Sequence, residues 1–234
     1  MSHNGEGSSM SSADCAPGQN TAVVLLSGGQ DSTTCLFWAR QEFGDVIAVS
    51  FDYHQKHRRE LECAGVICSR FGICHHVIDL RVLRQLMKER AMHHATAGGR
   101  EGGQASRTFI DGRNLFFLSV SALFAKQRDM RHIVAGFSQE DFADYPDCRD
   151  VFVKAANVAL DLGMDYQFVI HTPLIRMGKK ETWELAHRLG VLDIIVHETV
   201  TCYEGIVGDG CGVCPACRLR TKGYREFTAS RSSS

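Results

Sequence analysis

The chain has 234 residues, 44% of them hydrophobic, enough to pack one large domain or a core domain with a small appendage. Its 26 basic and 27 acidic side chains leave a net charge of -1, which excludes the broad cationic field that holds a polynucleotide and favours a small-molecule partner. No run of about eighteen apolar residues occurs and the N-terminal stretch is polar and Ser/Gly-rich, so neither membrane insertion nor secretion is expected, and a reducing cytoplasm suits the cysteine usage.

Residues 1–20 offer little apolar surface to offset the entropy of ordering and read as a disordered tail. Beyond them the chain alternates. Strand-like Ala22–Leu26, helix-like Asp31–Phe43, strand-like Asp45–Phe51, helix-like Lys56–Phe71 and strand-like His75–Ile78 follow one another. A Gly-rich polar segment, Ala97–Gln104, interrupts the series and reads as a mobile lid. The pattern resumes with the apolar helix Asn114–Lys126, the short strand Ile133–Ala135, the helix Asp150–Leu162, the strand Gln167–Ile170 and the helix Lys179–Leu189. Such alternation predicts an α/β fold with an open parallel sheet and crossover helices. The expected organisation is an α/β core over 21–195, a cysteine-bearing C-terminal element over 196–228 and a flexible end over 229–234.

Ligands of open parallel sheets sit beyond the carboxyl ends of the strands, near the point where strand order reverses. The loops Ser27–Ser32, Phe51–His57 and Gly136–Asp141 are therefore expected to meet at the active site. The first of them interrupts AVVLLSGGQDSTTCL. There an apolar strand breaks into Ser27-Gly28-Gly29-Gln30-Asp31-Ser32 and resumes as a helix, so small residues let main-chain N–H groups converge on an anion at a helix start. A Walker loop would need a Gly-Lys-Ser/Thr end that this run lacks, which argues against a kinase-like γ-phosphate site. An ordinary Gly-rich turn is the competing reading.

Cys202, Cys211, Cys214 and Cys217 are spaced C-x8-C-x2-C-x2-C among glycines that let the backbone curl round one ion. Four thiolates suit a tetrahedral, structural zinc with no open position for water; an iron–sulfur cluster or a redox Cys-x-x-Cys pair stays open. The other six cysteines read as small buried hydrophobes, with Cys15 in the tail and Cys148 inside a candidate site loop.

The Ser-Gly-Gly-x-Asp-Ser run resembles the PP-loop ATP pyrophosphatase superfamily at each defining position. Joined to FDYHQKHRRELECA, GRNLFFLSVSALFA, GFSQEDFADYPDCRDVFVKAAN, TPLIRMGKKETWELA and ETVTCYEGIVGDGCGVCPACRLR, it resembles the 7-cyano-7-deazaguanine synthase family over residues 22–227. Small departures are His54 where that family often has Gly, Lys56 where it has Arg, and Ile110-Asp111 where Val-Pro is usual.

The resemblance implies an adenine nucleotide alpha hydrolase-like core and a homodimer. It implies a ligase that joins ammonia to 7-carboxy-7-deazaguanine by two adenylations through an amide, in queuosine biosynthesis, using ATP with Mg2+ and one structural Zn2+. A relative stopping at the amide, or a tRNA-modifying adenylating enzyme, is the alternative. By position, Leu26, Ser27, Gly28, Gly29, Gln30, Asp31, Ser32, Thr33, Thr34, Cys35 and Leu36 would bind ATP. Asp31, Ser27 and Lys179 would carry catalysis, Lys179 by neutralising phosphate charge and Asp31 as a magnesium-linked or loop-ordering carboxylate or simply a helix cap. Arg113, Asn114, Asp141, Tyr145 and Asp147 would shape the deazaguanine pocket, and Cys202, Cys211, Cys214 and Cys217 would hold the metal.

Overall fold

The segment Thr21–Leu25 (β1) is buried along its whole length, and its successive residues alternate between two cores: Ala22 and Val24 face one, Val23 and Leu25 the other. A strand covered on both faces carries no polar alternation, which is why it reads as a continuous apolar run. The computed structural model describes residues 20–55, 57–82, 112–138 and 146–232. Most of the expected N-terminal tail, the expected lid at 97–104, and Asp141 and Tyr145 lie outside them.

After β1 come α1 (Gln30–Glu42), β2 (Asp45–Asp52), α2 (Arg59–Arg70) and β3 (Cys74–Asp79). Then follow α3 (Arg113–Lys126), β4 (His132–Val134), a 3-10 turn at Pro146–Cys148, α4 (Asp150–Met164) and β5 (Val169–His171). The chain closes with α5 (Lys179–Arg188), α6 (Leu192–Glu198) and α7 (Pro215–Ser232). The strands form one sheet in the order β3-β2-β1-β4-β5, and every pairing is parallel. Strand order reverses between β1 and β4, so the crevice beyond their carboxyl ends is the ligand position such a sheet provides.

Leu36, Ile67, Trp183, Ile195 and Phe227 cover one face of the sheet from α1, α2, α5, α6 and α7. Leu118, Ala122, Val153 and Ala156 cover the other from α3 and α4. No helix of the described residues is long and apolar enough to cross a membrane.

The expected α/β order is present, with element ends shifted by a few residues. Two helices are absent from the sequence reading. One is the short α6. The other is α7, which carries Cys217 within its first turn and runs on to Ser232, through residues read as part of a flexible end. Its exposed face is too polar to mark it as a helix in one dimension; its buried side is Cys217, Arg220, Gly223 and Phe227, a spacing of three or four residues. Cys35, Cys63, Cys68 and Cys148 are buried and outside any disulfide, as expected of small apolar side chains, whereas Cys74 departs from that reading in being disulfide-bonded.

Candidate active site

Leu26 ends the buried run of β1, and Ser27 to Gly29 then turn the chain into α1. Gly28 takes φ +83°, and a Cβ there would lie 2.2 Å from the carbonyl oxygen of Glu60, so α2 packs directly against the loop and only glycine fits. Ser27 and Ser32 lock the turn: their hydroxyls are 2.9 Å apart, and Ser32 Oγ also accepts from the Ser27 N–H at 3.1 Å. Gly29 is the N-cap of α1, and the first helical bond runs from the Thr33 N–H to its carbonyl at 3.0 Å. The N–H groups of Gln30, Asp31 and Ser32 are consequently free of helical partners and point out of the helix start, the usual place for an anion.

Asp31 and Lys179 meet across the crevice from the first turns of α1 and α5, Lys179 Nζ donating to Asp31 Oδ2 at 2.6 Å. Lys179 is brought there by α7: a Cβ on Gly223 would sit 2.5 Å from Lys179 Cβ, so the two helices cross in near contact. Asp31 Oδ1, both amide atoms of Gln30 and Thr33 Oγ1 are buried without a hydrogen-bond partner among the described residues. Unpaired buried polar atoms are costly, and four of them round one helix start mark where a polar ligand or water belongs.

The cavity at this point has a volume of about 390 Å³. Its walls come from the Ser27–Ser32 loop, the end of β2 with Tyr53 and His57, the start of α2 with Glu60, the start of α3 with Arg113, Asn114 and Phe117, and the cysteine element with Thr201, Tyr203 and Leu219. Two of the three expected loops therefore meet. Of the third, Gly136 and Phe137 reach the cavity, and residues 139–141 lie outside the described ones. Phe51 and Phe117 stack at 4.4 Å between ring centroids and give one wall a flat aromatic surface.

Of the expected nucleotide residues, Leu26, Ser27, Gly29, Gln30, Asp31 and Ser32 line the cavity. Thr33, Thr34, Cys35 and Leu36 lie deeper along α1 and are fully buried; the Thr34 hydroxyl, for example, donates to the Gln30 carbonyl at 2.8 Å. Arg113 and Asn114 line the cavity, and Cys148 does so as well. Asp147 has a different neighbourhood: its Oδ2 accepts from the Asn114 N–H at 2.8 Å, so its carboxylate caps α3 and holds Asn114 in place.

Glu60 was absent from the sequence reading. Removal from water pushes its carboxyl up to about 7, against the opposing pull of the Arg113 charge. The only sequence signal was its place directly after the basic run Lys56-His57-Arg58-Arg59, which by itself reads as a solvated helix start.

The four-cysteine element closes the cavity from one side. The sulfurs of Cys202, Cys211, Cys214 and Cys217 lie within 4.8 Å of one another, close enough to hold one metal ion. Cys211 and Cys217 sulfurs are 3.9 Å apart. The main-chain N–H groups of Glu204 and Cys214 donate to Cys202 and Cys211 sulfurs at 3.3 Å each, the bonding that anionic sulfur attracts. His57 Nε2 donates to the Tyr203 carbonyl at 3.1 Å, and the Val200 N–H donates to the Gly28 carbonyl at 3.0 Å, so the element is tied to two of the site loops.

Comparison with known proteins places this geometry. A solved structure described as a predicted subunit of tRNA methyltransferase from Methanocaldococcus jannaschii is similar with a TM-score of 0.50 at 18% identity, covering 72% of this chain and 74% of that one, which speaks to the fold alone. The 7-cyano-7-deazaguanine synthase of Clostridium novyi is 56% identical over 209 residues, 88% of this chain and 94% of its own length. That of Clostridium acetobutylicum is 57% identical over 209 residues with the same coverage. The family model described as Queuosine biosynthesis protein QueC matches residues 21–228, from the first residue of β1 to the last turns of α7. With the loop, the sheet and the four-cysteine element all inside that match, the chain belongs to the QueC family of queuosine biosynthesis proteins.

Proposed function

We propose that this chain is an ATP-dependent ligase that converts 7-carboxy-7-deazaguanine and ammonia to 7-cyano-7-deazaguanine. The observation that carries the reading is the anion cradle at the start of α1, set at the strand-order switch point, faced by the Asp31–Lys179 pair and ringed by unpaired buried polar atoms of Gln30, Asp31 and Thr33.

A carboxylate resists ammonia because oxide is a poor leaving group. Its oxygen first attacks the α-phosphorus of ATP, forming an acyl adenylate and releasing diphosphate. The N–H groups of Gln30, Asp31 and Ser32 lie where charge grows on that leaving group, and preorganised donors of this kind lower the barrier. Lys179 adds a positive charge held in place by Asp31. Ammonia then displaces AMP to give the amide. A second adenylation, on the amide oxygen, releases a second diphosphate; loss of both protons from nitrogen and departure of AMP then leave the nitrile, so one pocket serves both halves. Arg113, Asn114 and the Phe117 ring, with Asp141 and Tyr145 from the segment outside the described residues, are the proposed surroundings of the deazaguanine, and Asp147 supports Asn114 from behind.

Zinc is the proposed occupant of the cysteine site. A tetrahedron with ~2.3 Å Zn–S bonds has edges of about 3.8 Å, close to the 3.9 Å between Cys211 and Cys217 sulfurs. Four protein ligands fill such an ion, so its part is to hold the cavity wall. Asp31 Oδ1, the oxygen left over from the Lys179 contact, is the group that would meet magnesium accompanying ATP, which supplies charge neutralisation on the phosphates. A homodimer and a cytoplasmic setting go with this reading; the exposed Leu115, Leu123, Val158 and Leu162 supply apolar surface for a second copy.

The test is product analysis with purified metal-loaded chain, ATP, magnesium, ammonium and the carboxylated base. AMP and diphosphate should appear with a nitrile product. ADP with orthophosphate would end the reading, and a product mass stopping at the amide would shift it to the amide-forming alternative.

A further inference from the structure

Arg220 lies on α7 three residues beyond Cys217 and is 5% exposed, with no carboxylate partner among the described residues. Its guanidinium donates to the carbonyls of Ile195 at 2.6 Å and Val196 at 3.1 Å, which belong to the C-terminal part of α6, where the negative end of the helix dipole offsets its charge. The other nitrogen donates to the hydroxyls of Thr199 and Thr201, both at 2.9 Å. The Trp183 ring packs 5.2 Å from the guanidinium, and its Nε1 donates to the Arg220 carbonyl at 3.2 Å, fixing the arginine from a second side.

Thr201 is the informative partner. Its hydroxyl oxygen accepts from Arg220 and, at the longer distance of 3.5 Å, from the Gln30 N–H at the start of α1. With both approaches taken by donors, the hydroxyl hydrogen has to point elsewhere, and no acceptor for it occurs among the described residues. Thr201 lines the cavity beside Ser27 and Gln30.

We propose that Thr201 is a further ligand-binding residue, donating its hydroxyl hydrogen to a phosphate oxygen of the nucleotide, and that Arg220 is the positioning residue that turns this hydroxyl toward the cavity. The proposal deepens the functional reading above and rests on it. Phosphate is favoured over the carboxylate of the acid because the hydroxyl adjoins the helix-start N–H groups, the donors best suited to a phosphoryl group. A consequence is that the cysteine element, whose Cys202 and Cys217 flank Thr201 and Arg220, acts on nucleotide binding through these two side chains.

Calorimetric titration of ATP, and separately of the carboxylated base, into metal-loaded full-length chain tests this. Thr201→Val should weaken ATP about three- to tenfold, the value of one hydrogen bond, and leave affinity for the base within twofold. Thr201→Ser should restore ATP affinity. Arg220→Lys should weaken ATP although the threonine is intact, with metal content unchanged. ATP affinity unaltered in Thr201→Val, or a loss confined to the base, overturns the proposal, and the threonine variants decide the matter should Arg220→Lys fold poorly. Failure of the unsubstituted chain to bind ATP at all would instead remove the functional reading and this proposal with it.

Discussion

Asp31 and Lys179 are the clearest case of two residues whose roles depend on each other. Lys179 is only 7% exposed in its side chain, and removing Asp31 takes a carboxylate from beside a buried ammonium, a change that costs more than deletion of a surface charge. Asp31→Ala should cost about 1–3 kcal/mol of stability, read from a urea midpoint, and reduce diphosphate release at least ~100-fold, because charge placement at the leaving group is lost as well. Wild-type turnover in a folded Asp31→Ala variant would remove this carboxylate from the mechanism. Glu60 makes a different kind of statement. Its carboxyl rises from 4.5 to about 7 on folding, so the folded chain holds an extra proton between those values. The stability this gives is fully present below about pH 4.5 and is lost as pH rises through 7, by about 1–3 kcal/mol. Burial lowers His75, His76, His132 and His171, which slope the opposite way near their ordinary value. The difference between Glu60→Gln and the parent therefore isolates the glutamate. Urea unfolding at pH 5 and pH 8 should show the variant gaining on the parent as pH rises, and a constant difference would mean that Glu60 is solvated.

At the scale of elements, α7 does most to assemble the site from distant parts of the chain. Its first turn carries Cys217, its second carries Arg220, and its Gly223 lets it cross α5 at Lys179. The helix is anchored at one end by the cysteine cluster and at the other by Tyr224 and Phe227 packed against Trp183 and His187. Stripping the metal with a chelator should release the first anchor and leave the second. Hydrogen exchange should then speed up over residues 202–220 while the amides of β1 and β2, buried in the sheet, keep their protection. Uniform loss of protection would show that the cysteine element holds the whole core together, and no change would show that the cluster carries no metal. Sequence periodicity marked the strands and α1 to α5 because each presents an apolar face several residues long. α7 escaped because its buried side includes an arginine, a cysteine and a glycine, whose burial is decided by partners far away in the chain.

For the whole molecule, near balance of 26 basic and 27 acidic side chains bears on what it can hold. Polynucleotide affinity comes chiefly from phosphate neutralisation and falls steeply with salt. Turnover of the small acid should therefore proceed without RNA, and added tRNA should neither compete for the site nor bind with a steep salt dependence between about 50 and 200 mM, as filter binding would register. Tight, salt-sensitive tRNA binding would revive the alternative of a tRNA-modifying enzyme. Membership of the QueC family across residues 21–228 agrees with a fold in which sheet, loop and cysteine element are all required to form one cavity.

What the sequence determined by itself was whatever short-range chemistry dictates. The alternation of apolar runs called for a parallel sheet, the Ser27–Ser32 run called for an anion at a helix start, and the spacing of Cys202, Cys211, Cys214 and Cys217 called for one ion. Tertiary structure alone decided which residues share the cavity. Asp31 meets Lys179 from 148 positions away, and Gln30 meets Thr201 from 171. Asp147 was drawn off to cap α3, and Glu60 was raised by desolvation that no local pattern records. Burial, pairing and charge regulation depend on what packs against a residue in three dimensions, and separation along the chain carries no information about that.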